Sequence, residues 1–283
     1  MSAVLRAGVL GWPVSHSLSP RLHGHWLSQY NIDGSYEAVA VQPEDLAGAL
    51  SGLADEGFRG VNLTVPHKQA ALALVDKIDD AAQRIGAINT IVVEAGARLA
   101  GSNTDAFGFI ENLRDHVPDQ VANGWSGRPV AVLGAGGAAR AVCTALLDCG
   151  VAEIRLVNRT AQRAASLVDT LPGMDRCAKI YTWVDGPDAL ADAGLLVNTT
   201  VLGMTGQAPL DLDLTRLPDD ATVHDIVYAP LETDLLARAR QRGNPTVDGL
   251  GMLLHQARPG FRAWFGVDPV VDDGLRRAVL AGL

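Results

Sequence analysis

The chain has 283 residues, 48 % of them apolar and 19 % charged, which is enough apolar material for two packed domains at the usual roughly 100–200 residues each. A formal net charge of −9 argues against a nucleic-acid surface, so an anionic ligand must be held by local donors. Cys143, Cys149 and Cys177 show no C-x-x-C spacing, no stretch reaches the roughly 20 apolar residues that span a bilayer, and no basic segment followed by a long apolar run opens the chain; the expectation is a cytoplasmic protein without disulfides, zinc or membrane association.

Short β-type runs alternate with helical patterns, predicting an α/β architecture with largely parallel sheets. Ala7–Leu10 reads as a first strand, Leu22–Tyr30 as a helix and Tyr36–Val41 as a strand. Pro43 suits the first turn of a helix running to about Asp55. Gly60–Val65 is the next strand, stopped by Pro66. Thr90–Glu94 and Arg98–Gly101 flank Ala95-Gly96-Ala97 as a hairpin. From Asp105 a second pattern starts, with a helix over Ala106–Leu113 and a short apolar run at Val130–Leu133. The run leads into Gly134-Ala135-Gly136-Gly137 and a small-residue helix that Gly150 is placed to end. Ile154–Val157, Leu195–Asn198 and Val223–Val227 are further strands, and the chain is helical from Gly249 on. A discontinuous first domain follows from this order, with the C-terminal helices packing back onto it.

Gly134-Ala135-Gly136-Gly137-Ala138-Ala139 matches G-x-G-x-x-A between a strand and a helix. The first glycine permits the tight turn, and the second lets backbone approach a pyrophosphate that faces the helix N-terminus. Ala139 keeps helix and strand close. At the end of the next strand, NAD sites carry an acidic residue for the ribose 2′-hydroxyl. This chain has Asn158-Arg159-Thr160 and then Arg163, which would clamp a 2′-phosphate instead. NADP is therefore expected over NAD. Arg163 also reads as an ordinary solvated helix residue.

In the first domain, Ser17 and Ser19 alternate in a loop and can present hydroxyls to one carboxylate, while Ser19 before Pro20 also suits a helix N-cap. Asn62 and Thr64 share a strand face, and Pro66 turns the chain to present Lys68. Gly86–Thr90 and Asn103-Thr104-Asp105 complete the set. His16, His23 and His25 crowd together but lack a metal-binding spacing, so no metal site is expected.

These motifs, with Asp248-Gly249-Leu250-Gly251-Met252, resemble the shikimate dehydrogenase family along nearly the whole chain. The resemblance implies a substrate domain, residues 1–104 completed by 249–283, and a Rossmann-type NADP domain, residues 105–248, with substrate held between them. It implies NADPH-dependent reduction of 3-dehydroshikimate to shikimate, in aromatic amino acid (chorismate) biosynthesis. Lys68 and Asp105 look like the family's catalytic pair. Ser17 and Ser19 would bind the substrate carboxylate. Asn62, Thr64, Asn89 and Gln256 would meet ring hydroxyls or the reacting carbonyl, and Tyr228 would lie near the substrate. The glycine loop, Asn158, Arg159, Thr160, Arg163, Gly249 and the Asn198-Thr199-Thr200 stretch would meet the cofactor. The family's Asn-Val-Thr appears here as Asn-Leu-Thr, and Ile226 stands where Met is frequent. The competing expectations are an NAD-using quinate/shikimate dehydrogenase and a non-catalytic sensor of shikimate-type ligands. A monomer and a homodimer are equally compatible with the sequence.

Overall fold

A computed structural model describes residues 4–282. The chain divides into two compact units. One runs up to Thr104 and resumes at Leu254; the other is Asp105–Leu253.

The first unit is built on six strands: β1 (Leu5–Gly11), β2 (Gly34–Ala40), β3 (Phe58–Leu63), β4 (Lys77–Ile78), β5 (Thr90–Val93) and β6 (Leu99–Ser102), in the order β2-β1-β3-β5-β6-β4. β1 runs parallel to both neighbours, and its Val9 stands opposite Ala38 on one side and Asn62 on the other. Ala7–Gly11 is buried without interruption, as expected of a strand covered on both faces. The chain leaves β1 toward β2 and returns to β3 on the opposite side, so a crevice opens at the carboxyl ends of β1 and β3. The sheet is mixed, not simply parallel. β5 and β6 are antiparallel because the short Glu94–Arg98 connection permits nothing else, and β5 is also antiparallel to β3. Helices Gly249–Phe265 and Asp273–Leu280 follow at the C-terminus. Trp264 Nε1 donates to the Ile91 carbonyl at 3.0 Å and Trp26 Nε1 to that of Val270 at 3.0 Å, tying these last residues to the first unit.

The second unit carries β7 (Val130–Leu133), β8 (Ile154–Val157), β9 (Ala178–Tyr181), β10 (Leu195–Asn198), β11 (Thr222–Asp225) and β12 (Thr246–Val247). All its pairings are parallel, in the order β12-β11-β10-β7-β8-β9. The strands wind outward in both directions from β7, which is the doubly wound Rossmann arrangement with its switch point between β7 and β10. β7 and β10 are buried throughout, which is why both read as bare apolar runs.

Some expectations shift. The first helix starts at Ser19, not Leu22. The segment after Pro43 is one 3-10 turn, Pro43–Asp45, followed by a helix Leu46–Gly52 that stops short of Asp55. β4, β9 and β12 were not anticipated; each is a short strand at a sheet edge, where no apolar run is required. No helix among the described residues is long and apolar enough to cross a membrane.

Candidate functional site

In the first unit the crevice at the ends of β1 and β3 gathers most of the anticipated residues. The loop after β1 is not extended: Leu18 is helical at φ −80° and ψ −8° and itself occupies the N-cap position. The alternation argument for Ser17 and Ser19 therefore fails, as does the N-cap reading of Ser19. The two residues meet differently, the Ser19 amide donating to Ser17 Oγ at 3.3 Å. Ser19 is buried and Ser17 half-buried.

Asn62 lies buried near the end of β3 and makes three side-chain hydrogen bonds. Its Nδ2 donates to the Asn89 carbonyl at 3.0 Å and to Thr90 Oγ1 at 3.1 Å, and its Oδ1 accepts from the Tyr36 hydroxyl at 2.6 Å. Burial pushes the Tyr36 phenol well above its ordinary range, opposed by the neighbouring Ser19 hydroxyl. Asn89 continues the network. Its Oδ1 accepts from the Thr104 amide at 2.9 Å and from Thr90 Oγ1 at 2.9 Å, while its Nδ2 donates to Thr104 Oγ1 at 3.1 Å and Gln256 Oε1 at 3.4 Å. Thr104 Oγ1 in turn donates to the Gln256 carbonyl at 2.7 Å. Tyr36, Asn62, Asn89 and Gln256 thus belong to one connected set of neutral groups. Thr64 lies just past β3 and is half-buried. Lys68 is half-buried in the short helix His67–Ala70, and its carbonyl accepts from the Ile88 amide at 2.7 Å, one residue from Asn89.

In the second unit, Gly134 ends β7 at φ +106°, a conformation that favours glycine. A Cβ there would also lie 2.7 Å from Thr199 Oγ1. Beside it, Thr199 is anchored on the Leu133 carbonyl through its amide at 3.0 Å and its hydroxyl at 2.6 Å. Gly136 and Gly137 have open space where a side chain would project, and helix Gly137–Asp148 begins directly behind them. Ala135 in the loop and Ala138 in the first turn of the helix are half-buried, and Ala139 is fully buried. This cradle fits a pyrophosphate: exposed backbone, no side chain in the way, and a helix N-terminus facing it.

At the end of β8, Asn158 Nδ2 donates to the Thr160 carbonyl at 2.7 Å and folds the strand end back on itself. Arg159, Thr160 and Arg163 are exposed, and neither arginine is engaged by another side chain among the described residues. Two unsatisfied guanidiniums with no acidic group beside them fit a 2′-phosphate. Asp105 is the first residue of helix Asp105–His116 and is half-buried. Tyr228 is half-buried, and burial raises its phenol. Gly249 begins its helix where a Cβ would strike the Ile226 and Val227 carbonyls, so close backbone packing alone demands glycine there.

Two residues that organise these sites, one in each unit, were not singled out from the sequence. Tyr36 could have been, since a tyrosine at an inward strand position must find a partner for its hydroxyl. Asp225 offers no such signal. It ends β11 fully buried and accepts from Asn198 Nδ2 at 2.9 Å, the Val227 amide at 3.0 Å and Thr233 Oγ1 at 2.7 Å. Desolvation raises its pKa, opposed by those bonds. Asn198 Oδ1 accepts from the Thr200 amide at 3.0 Å, so Asp225 holds the whole Asn198–Thr200 turn. No cluster of three or more His, Cys, Asp or Glu able to hold a metal occurs among the described residues.

Comparison with known proteins assigns both units. Residues 9–91 match the family model for the shikimate dehydrogenase substrate binding domain, and residues 117–200 that for shikimate / quinate 5-dehydrogenase. The NADP(+) shikimate dehydrogenase of Rhodospirillum rubrum is 58 % identical over 97 % of this chain and 96 % of its own. The Thermus thermophilus shikimate 5-dehydrogenase, solved with NADP(H) and shikimate, superposes with a TM-score of 0.84 at 39 % identity, covering 99 % of this chain and 100 % of its own. The Corynebacterium glutamicum quinate dehydrogenase, solved with NAD, gives 0.90 at 31 % identity over 98 % of this chain and 99 % of its own.

Proposed function

Because the chain belongs to the shikimate dehydrogenase family, we propose that it catalyses the reversible NADPH-dependent reduction of 3-dehydroshikimate to shikimate, a step toward chorismate and the aromatic amino acids. The observation that carries this reading is the choice of residues at the end of β8. Arginines 159 and 163 stand free where an NAD enzyme places a carboxylate, so the cradle at Gly134–Gly137 favours the 2′-phosphorylated dinucleotide.

When bound, the nicotinamide supplies hydride to the ring ketone. Ser17 and Ser19 hold the substrate carboxylate. Asn62, Thr64, Asn89 and Gln256 fix the ring through its hydroxyls, with Tyr228 near the ring. Lys68 stabilises the oxyanion that develops on the carbonyl and gives it a proton; in the reverse direction the neutral amine takes the proton back. Asp105 supplies the carboxylate that favours the ammonium form of the lysine. The neutral set around Asn62 and Asn89 supports this division of labour, since it binds polar groups without competing for the proton. We assign the activity to the cytoplasm and to a monomer or homodimer.

The test is nicotinamide absorbance with shikimate and with quinate, each offered NADP⁺ and NAD⁺. Fast turnover with shikimate and NADP⁺ alone is expected. Equal turnover with quinate or NAD⁺ would overturn the specificity assigned to Arg159 and to the ring contacts.

A further inference from the structure

The orientation of the Asn62 amide follows from its surroundings. The Asn89 carbonyl can only accept, so the atom 3.0 Å from it must be the nitrogen of Asn62. The second hydrogen of that nitrogen goes to Thr90 Oγ1 at 3.1 Å, because the Thr90 hydroxyl spends its own proton on Asn89 Oδ1 at 2.9 Å. Both amide hydrogens are thereby consumed. On the other side, Asn62 Oδ1 accepts the Tyr36 hydroxyl proton at 2.6 Å. The direction runs one way, from Tyr36 to Asn62. What Asn62 still offers is the second lone pair of Oδ1. The Tyr36 ring is itself fixed, stacked on His23 with centroids 3.9 Å apart and planes within 6° of parallel.

We propose that Tyr36 is a positioning residue for the substrate: it holds Asn62 as an acceptor only, so that this corner of the site selects a ring hydroxyl over a ketone or ether oxygen. The inference rests on the shikimate dehydrogenase reading and adds the polarity of one contact to it. The donor is an alcohol hydroxyl of a polyhydroxylated ring acid. Tyr36 itself reaches no reacting atom and acts through Asn62.

The experiment is Tyr36→Phe, which keeps the stacked ring and deletes the hydroxyl. Released from Tyr36, Asn62 loses its fixed presentation, and KM for shikimate should rise about tenfold, with kcat within about twofold of wild type and KM for NADP⁺ unchanged. In an Asn62→Ala background the same substitution should add no further loss of shikimate affinity. An unchanged KM in Tyr36→Phe, or an equal additional loss in both backgrounds, overturns the proposal. If Tyr36→Phe does not fold, the wild-type enzyme still decides the matter with shikimate analogues in which each ring hydroxyl in turn is replaced by fluorine, which accepts but cannot donate. At least one should bind about tenfold more weakly than shikimate, and equal binding of all overturns the assignment. Absence of wild-type turnover with shikimate and NADP⁺ would instead sink the family-based reading, an outcome distinct from a Tyr36→Phe enzyme that behaves as wild type.

Discussion

The two units present opposite kinds of surface to a ligand. In the first, Tyr36, Asn62, Asn89, Thr104 and Gln256 form a neutral network, and most of these side chains are buried. In the second, the groups that we assign to the cofactor are backbone at Gly136 and Gly137 with empty space beside it, and exposed arginines with no side-chain partner among the described residues. A small ring acid carries its identity in the positions of a few hydroxyls, so its site must be rigid and polar in defined directions. A dinucleotide carries its identity in phosphates, which a helix N-terminus and mobile guanidiniums can hold through charge. Rigidity is spent where geometry is read, and charge where charge is read.

That contrast is most exposed to failure at Lys68, the one cation assigned to chemistry in the neutral unit. Lys68→Ala should lower kcat by roughly 10²–10⁴-fold while shikimate binding, measured by fluorescence quenching, changes far less. Near-normal turnover would mean that the first unit only binds, and that the proton comes from elsewhere. Arg159→Ala is the counterpart in the second unit. It should weaken NADPH by about tenfold to a hundredfold and leave NADH nearly untouched. Because the arginine is exposed, the NADPH advantage should also shrink with added salt. Equal losses for both cofactors would show that the end of β8 does not read the 2′-phosphate.

The second unit was the more legible of the two. β7, β8 and β10 carry the limits read from the sequence, since strands buried on both faces are written mainly in apolar residues between turn residues, with Arg155 the charged exception in β8 and Asn198 the polar end of β10. The glycines announce themselves for the same local reason: Gly134 needs a positive φ and Gly136 needs space. The network of the first unit is not local. Asn62, Asn89 and Gln256 could be picked as motif members, but their joining through Tyr36 and Thr104 depends on strand register, Asn62 facing Thr90 across β3 and β5. The alternation drawn for Ser17 and Ser19 failed because Leu18 turns helical, a backbone choice that a Ser-Leu-Ser-Pro run does not reveal. Edge strands β4, β9 and β12 escaped because they bury too little to need a pattern.

Each unit also buries a histidine that acid should expose, and this gives the mildest test of their separateness. His23 lies among Trp26, Tyr36 and Phe261 in the first unit, and burial lowers its pKa from 6.5 to about 3. His224, stacked on Phe109 in the second, is lowered to about 3 by burial, helped by His116. A folded pKa below the unfolded one means that the unfolded chain binds more protons between those values. Stability is then fully present above about pH 6.5 and falls as pH drops toward 3, by up to about 1.4 kcal/mol per pH unit for each histidine. Asp225 works in the opposite direction, since its raised pKa favours the protonated fold as pH falls. His23→Phe should therefore flatten the acid limb of denaturant-measured stability by one proton, leaving neutral-pH stability and NADPH affinity close to wild type. If the two units unfold in separate steps, only the step assigned to the first unit should lose its slope, and an unchanged slope would show that His23 is protonated in the folded state.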